Sequence, residues 1–423
     1  MINYSAMQPR IKIFRNIAIL CTGLSVLLGG CVAEPQGSEP VITQSPSLSS
    51  VRVLLDDSAQ KIQFKIDDEY EIVNYDTMEI FKAEGTACVI EPATDSNGIW
   101  AGQQLFKTKH LIIQPKHNQP FAINDNQKYR GGLELIINSG SRTMTVINNV
   151  SMETYLAGVV ASEMPSYWEM EALKAQAIAA RTYCLYIKTK FGKNRNWDVK
   201  TTQANQVYKG VNAETVRTND AVNSTCGMVL CCQQESGDCE PFPAYYSSAC
   251  GGHTEDSENV FGDKFESLKG VNCAYCRTTT RPSLFYWPDV KFDKKTVSDN
   301  ILERYPSLKE LGTIEKIEAV KKSEYENKFT RITSVKLTGS TGKTGFLRAE
   351  DLRLAIDSSG TKIQSACCTI VSLDKEFLFV AGKGFGHGVG LCQYGAREMA
   401  RQGNTAEQIL SFYYPDNRIK TLY

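Results

Sequence analysis

Apolar and polar residues alternate in short runs from Val51 to about Ile147: VRVLL, QFKI, LIIQP, LELII and MTVIN, broken by Gly, Asn and Asp. Alternation with period two marks strands that bury one face, so residues 51–147 are expected to form a β-rich subdomain of strands and hairpins. The pattern then changes. From Tyr155 the chain reads YLAGVVASEMPSYWEMEALKAQAIAARTYCLYIK: an apolar run, a lone carboxylate at Glu163, then Pro165 and a helical sequence. Ser166 and Glu169 have the S-x-x-E spacing of a capping box, which predicts a helix beginning near Tyr167 or Trp168. Glu163 would then lie on the connection just outside that helix N-terminus. Within the helix, Lys174 and Arg181 are seven residues apart, which puts two cations on one face.

Further along, a helical run from Ala213 to about Val222 leads into GMVLCC, read as a strand. Residues 148–284 form the expected core, and residues 285–365 a mixed α/β insert or subdomain. That insert should hold a helix near Val297–Arg304, stopped by Pro306, and strands at IEKIEAV and RITSVKL. Residues 366–423 complete the core with a strand or hairpin in VSLDKEFLFVAGKG and a short helix, Gln393–Gln402, stopped by Gly403. Strands and helices that segregate rather than alternate point to an α+β fold.

The N-terminus changes the picture by fixing a compartment. Arg10, Lys12 and Arg15 precede the apolar run Ile17–Leu28, and Leu28-Gly29-Gly30-Cys31 follows. The run is about a dozen residues, short of the ~20 that span a bilayer, and reads as a secretory signal over residues 1–31. Cys31 after L-G-G has the form of a lipoprotein cleavage site, so Cys31 is the expected lipidation position. Residues 32–50 are rich in Pro, Ser and polar groups, a flexible tether. An exported protein, lipid-anchored to a membrane facing the cell wall, is expected. With 47 basic and 47 acidic residues no net field favours nucleic acid, which is excluded as a partner, and 42% hydrophobic content over roughly 370 remaining residues suffices for a sizeable core.

Several blocks closely resemble the stage II sporulation protein D family, which includes amidase-enhancer proteins. They are SEMP followed by EALKAQAIAARTY, the upstream YRGGLELIINSGSRTMTVINNVSMETYL (129–156), and downstream QVYKGV (206–211), YYSSACGGHTEDSENVFG (245–262), AGKGFGHGVGLCQYGAREMARQG (381–403) and AEQILSFYYPD (406–416). Members resemble lytic transglycosylases of peptidoglycan glycan strands, and the resemblance implies that Glu163 is the catalytic acid. It also implies contributions from Lys174 and Arg181 and places His387, Gln393 and Tyr394 in the cleft wall. A transglycosylase of this kind needs one carboxylate: the acid protonates the bond between N-acetylmuramic acid and N-acetylglucosamine, then takes the proton of the sugar's C6 hydroxyl to leave a 1,6-anhydro end. Such an acid needs a raised pKa. Lys174 and Arg181 would lower it if they came close, whereas Trp168, Tyr155 or Tyr245 could supply an apolar wall that raises it. The glycines alternating around His387 lack the Gly-Lys-Ser/Thr ending of a phosphate loop and instead permit sharp turns.

The chain has 14 cysteines. Cys250-x2-His253 and Cys273-x2-Cys276 are two short ligand pairs separated by about twenty residues, the spacing of a four-ligand structural zinc site. Setting aside Cys21, Cys31 and those three thiols leaves nine, an odd number that cannot all pair internally. Cys184 and Cys392 read as small apolar groups in packed helix faces. Two other functions stay open: a non-catalytic glycan-binding protein that stimulates a partner cell-wall amidase, and a metal-dependent hydrolase using the Cys/His site.

Overall fold

The computed structural model describes residues 48–84, 87–124, 127–202, 205–233, 239–325 and 329–423. The signal segment, Cys21, Cys31 and tether residues 32–47 lie outside the described residues. The architecture is α+β, with a β-rich N-terminal region and several sheets. The first strand, Ser50–Ala59, already begins at the last residue of the segment read as tether. It lies in a seven-stranded sheet, pairing with Met144–Ser151, which is followed across the sheet by Gly132–Ile137, His110–Pro115, Glu69–Asn74 and Ile80–Glu84. The alternation read from LIIQP and LELII sets the register: Leu133 faces Ile113 and Leu135 faces Leu111, all four buried. A one-residue slip would turn these side chains to the other face. A second sheet of six short strands completes this region.

The helical core follows. Helix α1, Met152–Glu163, is capped by Ser151, whose hydroxyl accepts from the Thr154 N–H, and it ends where Met164 turns extended before Pro165. Helix α2, Met170–Phe191, buries Ala172, Ala175, Ala177, Ala179 and Ala180 completely, so neighbouring elements approach its backbone closely. It touches α1, the helices Val216–Asn223, Gln393–Arg401 and Ala406–Tyr413, and the strand Met228–Gln233.

The start of α2 differs from the capping-box reading. The helix begins at Met170, and Ser166 does not cap it. The Arg217 guanidinium donates to the Ser166 and Trp168 carbonyls, and the Glu169 carboxylate is drawn instead to Arg397, at 3.4 Å. Glu163 consequently sits at the C-terminal end of α1 rather than just outside the N-terminus of α2.

Residues from Trp287 to Phe379 gather a second hydrophobic core around Val297, Ile301, Val335, Leu337 and Phe377. It contains the helix Lys294–Arg304, the antiparallel pair Ile314–Glu324 and Thr330–Gly339, and the hairpin of Thr369–Ser372 with Glu376–Val380. Among the described residues no helix is long and apolar enough to cross a membrane.

Candidate active site

Three separated segments converge on Glu163 at the end of α1. The loop after Val199–Lys200 brings the Val207 N–H to Oε1 of Glu163 at 3.1 Å. The strand Tyr246–Ser247 supplies the Tyr246 hydroxyl, and the first residue of the helix Gln393–Arg401 supplies the Gln393 side chain; both hydrogen-bond the Glu163 carboxyl. Tyr246–Ser247 runs parallel to Leu391–Cys392, with Tyr246 opposite Leu391 and Ser247 opposite Cys392, so one ladder fixes both partners.

The partners are themselves held. The Gln206 side chain, fully buried, donates from Nε2 to the Tyr246 hydroxyl (3.0 Å) and to the Ala180 carbonyl (3.1 Å), while its Oε1 accepts from the Tyr155 hydroxyl (3.2 Å). Because Tyr246 accepts from Gln206, its single O–H proton is left for Glu163. Gln393 Nε2 also donates to Gln176 Oε1 at 3.3 Å.

Glu163 is half-buried, and burial raises its pKa above the ordinary carboxylate value, against the lowering effect of Val207, Gln393 and Tyr246. Its place at the negative end of α1 works in the same direction as burial. Burial and the nearby Glu163 charge hold the Tyr246 hydroxyl well above the usual phenol range, so it remains a donor.

Arg181 and Lys174 both lie away from the acid. Arg181 is fully buried and forks onto the Glu153 carboxylate, with Nε to Oε1 at 2.9 Å, while a further N–H reaches the Met228 carbonyl at 2.9 Å. Lys174 pairs with Glu171 at 2.8 Å on the α2 surface. Neither is among the groups acting on the Glu163 carboxyl, which removes the conflict between two cations and a raised pKa. The complete burial of Arg181 against Glu153 corrects the contribution to the site expected of it: a seven-residue spacing places two cations along one helix face but does not say what faces them.

Tyr245, just before the strand Tyr246–Ser247, and Tyr246 meet different partners. Tyr245 stacks on Phe261 at 4.2 Å and meets Tyr183 at 5.7 Å, so it is Tyr246, unassigned by sequence, that reaches the acid. His387 does not touch Glu163. Its Nδ1 accepts from the Val389 N–H at 3.0 Å, and its ring hydrogen-bonds the Tyr246 backbone while lying edge-on to Phe261 and Tyr245. Burial pushes its pKa down to about 4, so it is a neutral brace of the strand that carries Tyr246. The glycine at 388 has φ +80° and sits so close to the Arg331 guanidinium that an added Cβ would come within 2.6 Å of it.

A group of thiols adjoins the site. Cys250, Cys273, Cys276 and Cys392 are completely buried, and their sulfurs all lie within 4.8 Å of one another. The fourth member is Cys392, not His253, and Cys392 is therefore not an incidental apolar group. The glycines after Cys250, with φ of +81° and +126°, turn the chain so that His253 leaves the cluster. Its Nδ1 meets the Thr254 carbonyl at 2.6 Å and its ring stacks on Tyr325 at 3.6 Å. From the insert, Arg331 donates to the Cys250 carbonyl (2.7 Å) and faces the buried Glu255 carboxylate, which accepts from Tyr325 (2.6 Å) and Ser323 (2.7 Å). Four protein thiols would fill a tetrahedral shell, which suits a structural soft metal. Cys231 is disulfide-bonded, and Cys367 and Cys368 are free.

Gly395 is required by close approach rather than by φ. A Cβ there would come within 1.9 Å of the Tyr413 hydroxyl and 3.0 Å of Cys273 Sγ. Gly395→Ala is therefore expected to destabilise the protein by about 1–3 kcal/mol, the usual range for overpacking, seen as a lower thermal midpoint. Unchanged melting would show that Tyr413 yields freely.

A family model described as Stage II sporulation protein matches residues 140–231, a span that includes Glu163, Gln206 and Val207 but stops before Tyr246 and Gln393. An uncharacterized protein of Brachyspira hyodysenteriae is 30% identical over 371 residues, covering 86% of this chain and 91% of that protein. Stage II sporulation protein D of Bacillus subtilis is 30% identical over 290 residues, 64% of this chain and 75% of that protein. The amidase enhancer of Bacillus subtilis is 31% identical over 293 residues, 62% of this chain but 39% of that protein. Through these matches the chain belongs to the stage II sporulation protein D and amidase enhancer family.

Proposed function

We propose that this protein acts on the bacterial cell wall as a lytic transglycosylase of peptidoglycan glycan strands, with Glu163 as general acid and then general base. The observation that carries the reading is a single half-buried carboxyl of raised pKa, held by three donors, with no other carboxylate acting on it among the described residues. Hydrolases that use a carboxylate pair need a second acid. In the proposed reaction Glu163 gives its proton to the glycosidic oxygen as the bond to C1 of N-acetylmuramic acid breaks. The C6 hydroxyl oxygen of the same sugar closes on C1, and its proton returns to Glu163. No water is consumed, and the carboxylate formed midway is stabilised by the Val207 N–H, Tyr246 and Gln393. The exported, Cys31-anchored location belongs to the same proposal, as does a cell-wall amidase partner, which the name of the amidase enhancer relative favours.

The test is mass spectrometry of fragments released from purified glycan strands. Anhydro products are lighter by one water than hydrolytic ones; products of hydrolytic mass would exclude the mechanism. Absence of any product from intact or peptide-stripped strands would favour the amidase-stimulating alternative.

A pH profile probes the donors. Protonated Glu163 is the active acid, so kcat/KM should fall as pH rises through its raised pKa. Tyr246 lowers that pKa by hydrogen bonding. Tyr246→Phe should therefore move the basic limb to higher pH while lowering the maximal rate, because the intermediate carboxylate loses a donor. A limb that stays in place would mean that Tyr246 does not act on the acid.

A further inference from the structure

We infer that Cys250, Cys273, Cys276 and Cys392 bind one soft divalent metal of the zinc class, and that this metal sets Tyr246 and Gln393 against Glu163. The positioning half rests on the glycan-cleaving reading; the metal half does not.

The four thiols come from three separate segments: the turn after Tyr246–Ser247, the loop leading into Cys276–Thr279, and the strand Leu391–Cys392. All are free, none is exposed, and the Cys250 and Cys276 sulfurs are 3.6 Å apart. Metal–sulfur bonds of about 2.3 Å place tetrahedral sulfurs ~3.8 Å from one another, so little movement would close the cage. The surroundings also suit thiolates. The Cys250 N–H donates to Cys392 Sγ at 3.3 Å, and the Tyr413 hydroxyl lies 3.2 Å from Cys273 Sγ. Donors to ligand sulfurs orient them and tune the metal. Packing alone does not require sulfurs 142 residues apart in the chain to converge on one point.

The cage also sits where it can govern the acid. Cys392 immediately precedes Gln393, and Ser247, next to Tyr246, is its ladder partner. Cys250 lies four residues beyond Tyr246 on the same segment. A metal joining Cys250 to Cys392 therefore staples together the two strands whose ends carry two of the three Glu163 donors. Cys273 and Cys276 fasten that staple to the loop packed on the helix Gln393–Arg401, which the Cys276–Thr279 turn contacts.

The experiment uses the whole exported chain purified without chelator, with metal content measured by plasma mass spectrometry. One equivalent of zinc is expected in wild type and in His253→Ala, and loss of most of it in Cys392→Ser. Reloading with cobalt(II) should give thiolate-to-metal absorption and tetrahedral d–d bands in wild type and His253→Ala but not in Cys392→Ser. Metal retained by Cys392→Ser and lost from His253→Ala would overturn the ligand set. Metal well below one equivalent, with peptide mapping that finds disulfides among the four thiols, would overturn the site. For the positioning half, Cys392→His, which keeps four protein ligands, should retain both zinc and glycan cleavage. Chelated protein with unchanged far-ultraviolet dichroism should lose roughly 10–100-fold in rate, and its basic pH limb should move upward. An unchanged rate and profile after metal removal would refute positioning. If wild type itself cleaves no glycan, the positioning half falls with the transglycosylase reading, and metal stoichiometry alone still decides the site.

Discussion

Glu163→Gln is expected to abolish release of 1,6-anhydro fragments, lowering kcat by about 10²–10⁴-fold, the contribution typical of a positioned general acid and base. The substitution keeps the size and shape of the side chain. Its carbonyl oxygen can still accept from the Val207 N–H, so the loop at residues 206–207 keeps its tie to α1. The amide has no proton of suitable acidity for the leaving oxygen and cannot take one from the C6 hydroxyl. Stability and glycan binding should therefore be close to wild type, as seen by thermal melting and by pull-down on purified strands. The same variant separates the two cell-wall readings. If the chain only stimulates an amidase, Glu163→Gln would stimulate it as well as wild type does. Undiminished anhydro product from the variant would remove Glu163 from the chemistry altogether.

Arg181→Ala is expected to have the largest effect on stability, about 3–5 kcal/mol, because it leaves the Glu153 carboxylate without its cation in a largely buried setting. The loss is not confined to one pair. Glu153 also accepts from the Gly227 N–H at 3.2 Å and the Tyr423 hydroxyl at 2.7 Å, and Arg181 donates to the Met228 carbonyl. One ion pair thus ties α1 and α2 to the strand Met228–Gln233 and to the segment that pairs with it. A fall in the urea midpoint is the expected reading, with the pH limb of any remaining activity unmoved because Arg181 does not act on Glu163. A fully stable Arg181→Ala protein with a raised KM would mean that the guanidinium reads substrate after all.

Local patterns carried much of the fold. Alternating runs such as LELII and MTVIN fall on strands, the Val297–Arg304 and Gln393–Gln402 readings fall on helices, and the Thr369–Val380 stretch is a hairpin. Helix α1 escaped because it is buried nearly all round: Tyr155, Leu156, Ala157, Gly158, Val159 and Val160 form a continuous apolar run with no polar face to show a period. Within the site, Glu163 and Gln393 stood in recognisable blocks, but their meeting is a tertiary fact. Gln206 and Tyr246 stood in the blocks QVYKGV and YYSSACGG, yet nothing local told Tyr246 from Tyr245; only their tertiary partners do. The thiol set failed for a similar reason. The Cys-x2-His spacing is compatible with a ligand pair, and two left-handed glycines send the imidazole to Tyr325 instead. Cys392 has no ligand-like neighbour in sequence, so only its convergence in space identifies it.

The donors around Glu163 come from residues 207, 246 and 393, so the carboxyl acquires its surroundings through contacts that span much of the chain. Such long-range contacts close late in folding, since each must first overcome the entropy of a large loop. During synthesis α1 can form long before the helix Gln393–Arg401 emerges, and at that stage Glu163 lacks the burial and the partners that shift its pKa. On the glycan-cleaving reading, a chain truncated before residue 393, or not yet folded, would lack the assembled acid. Completion of the fold would then decide when the proposed acid is assembled.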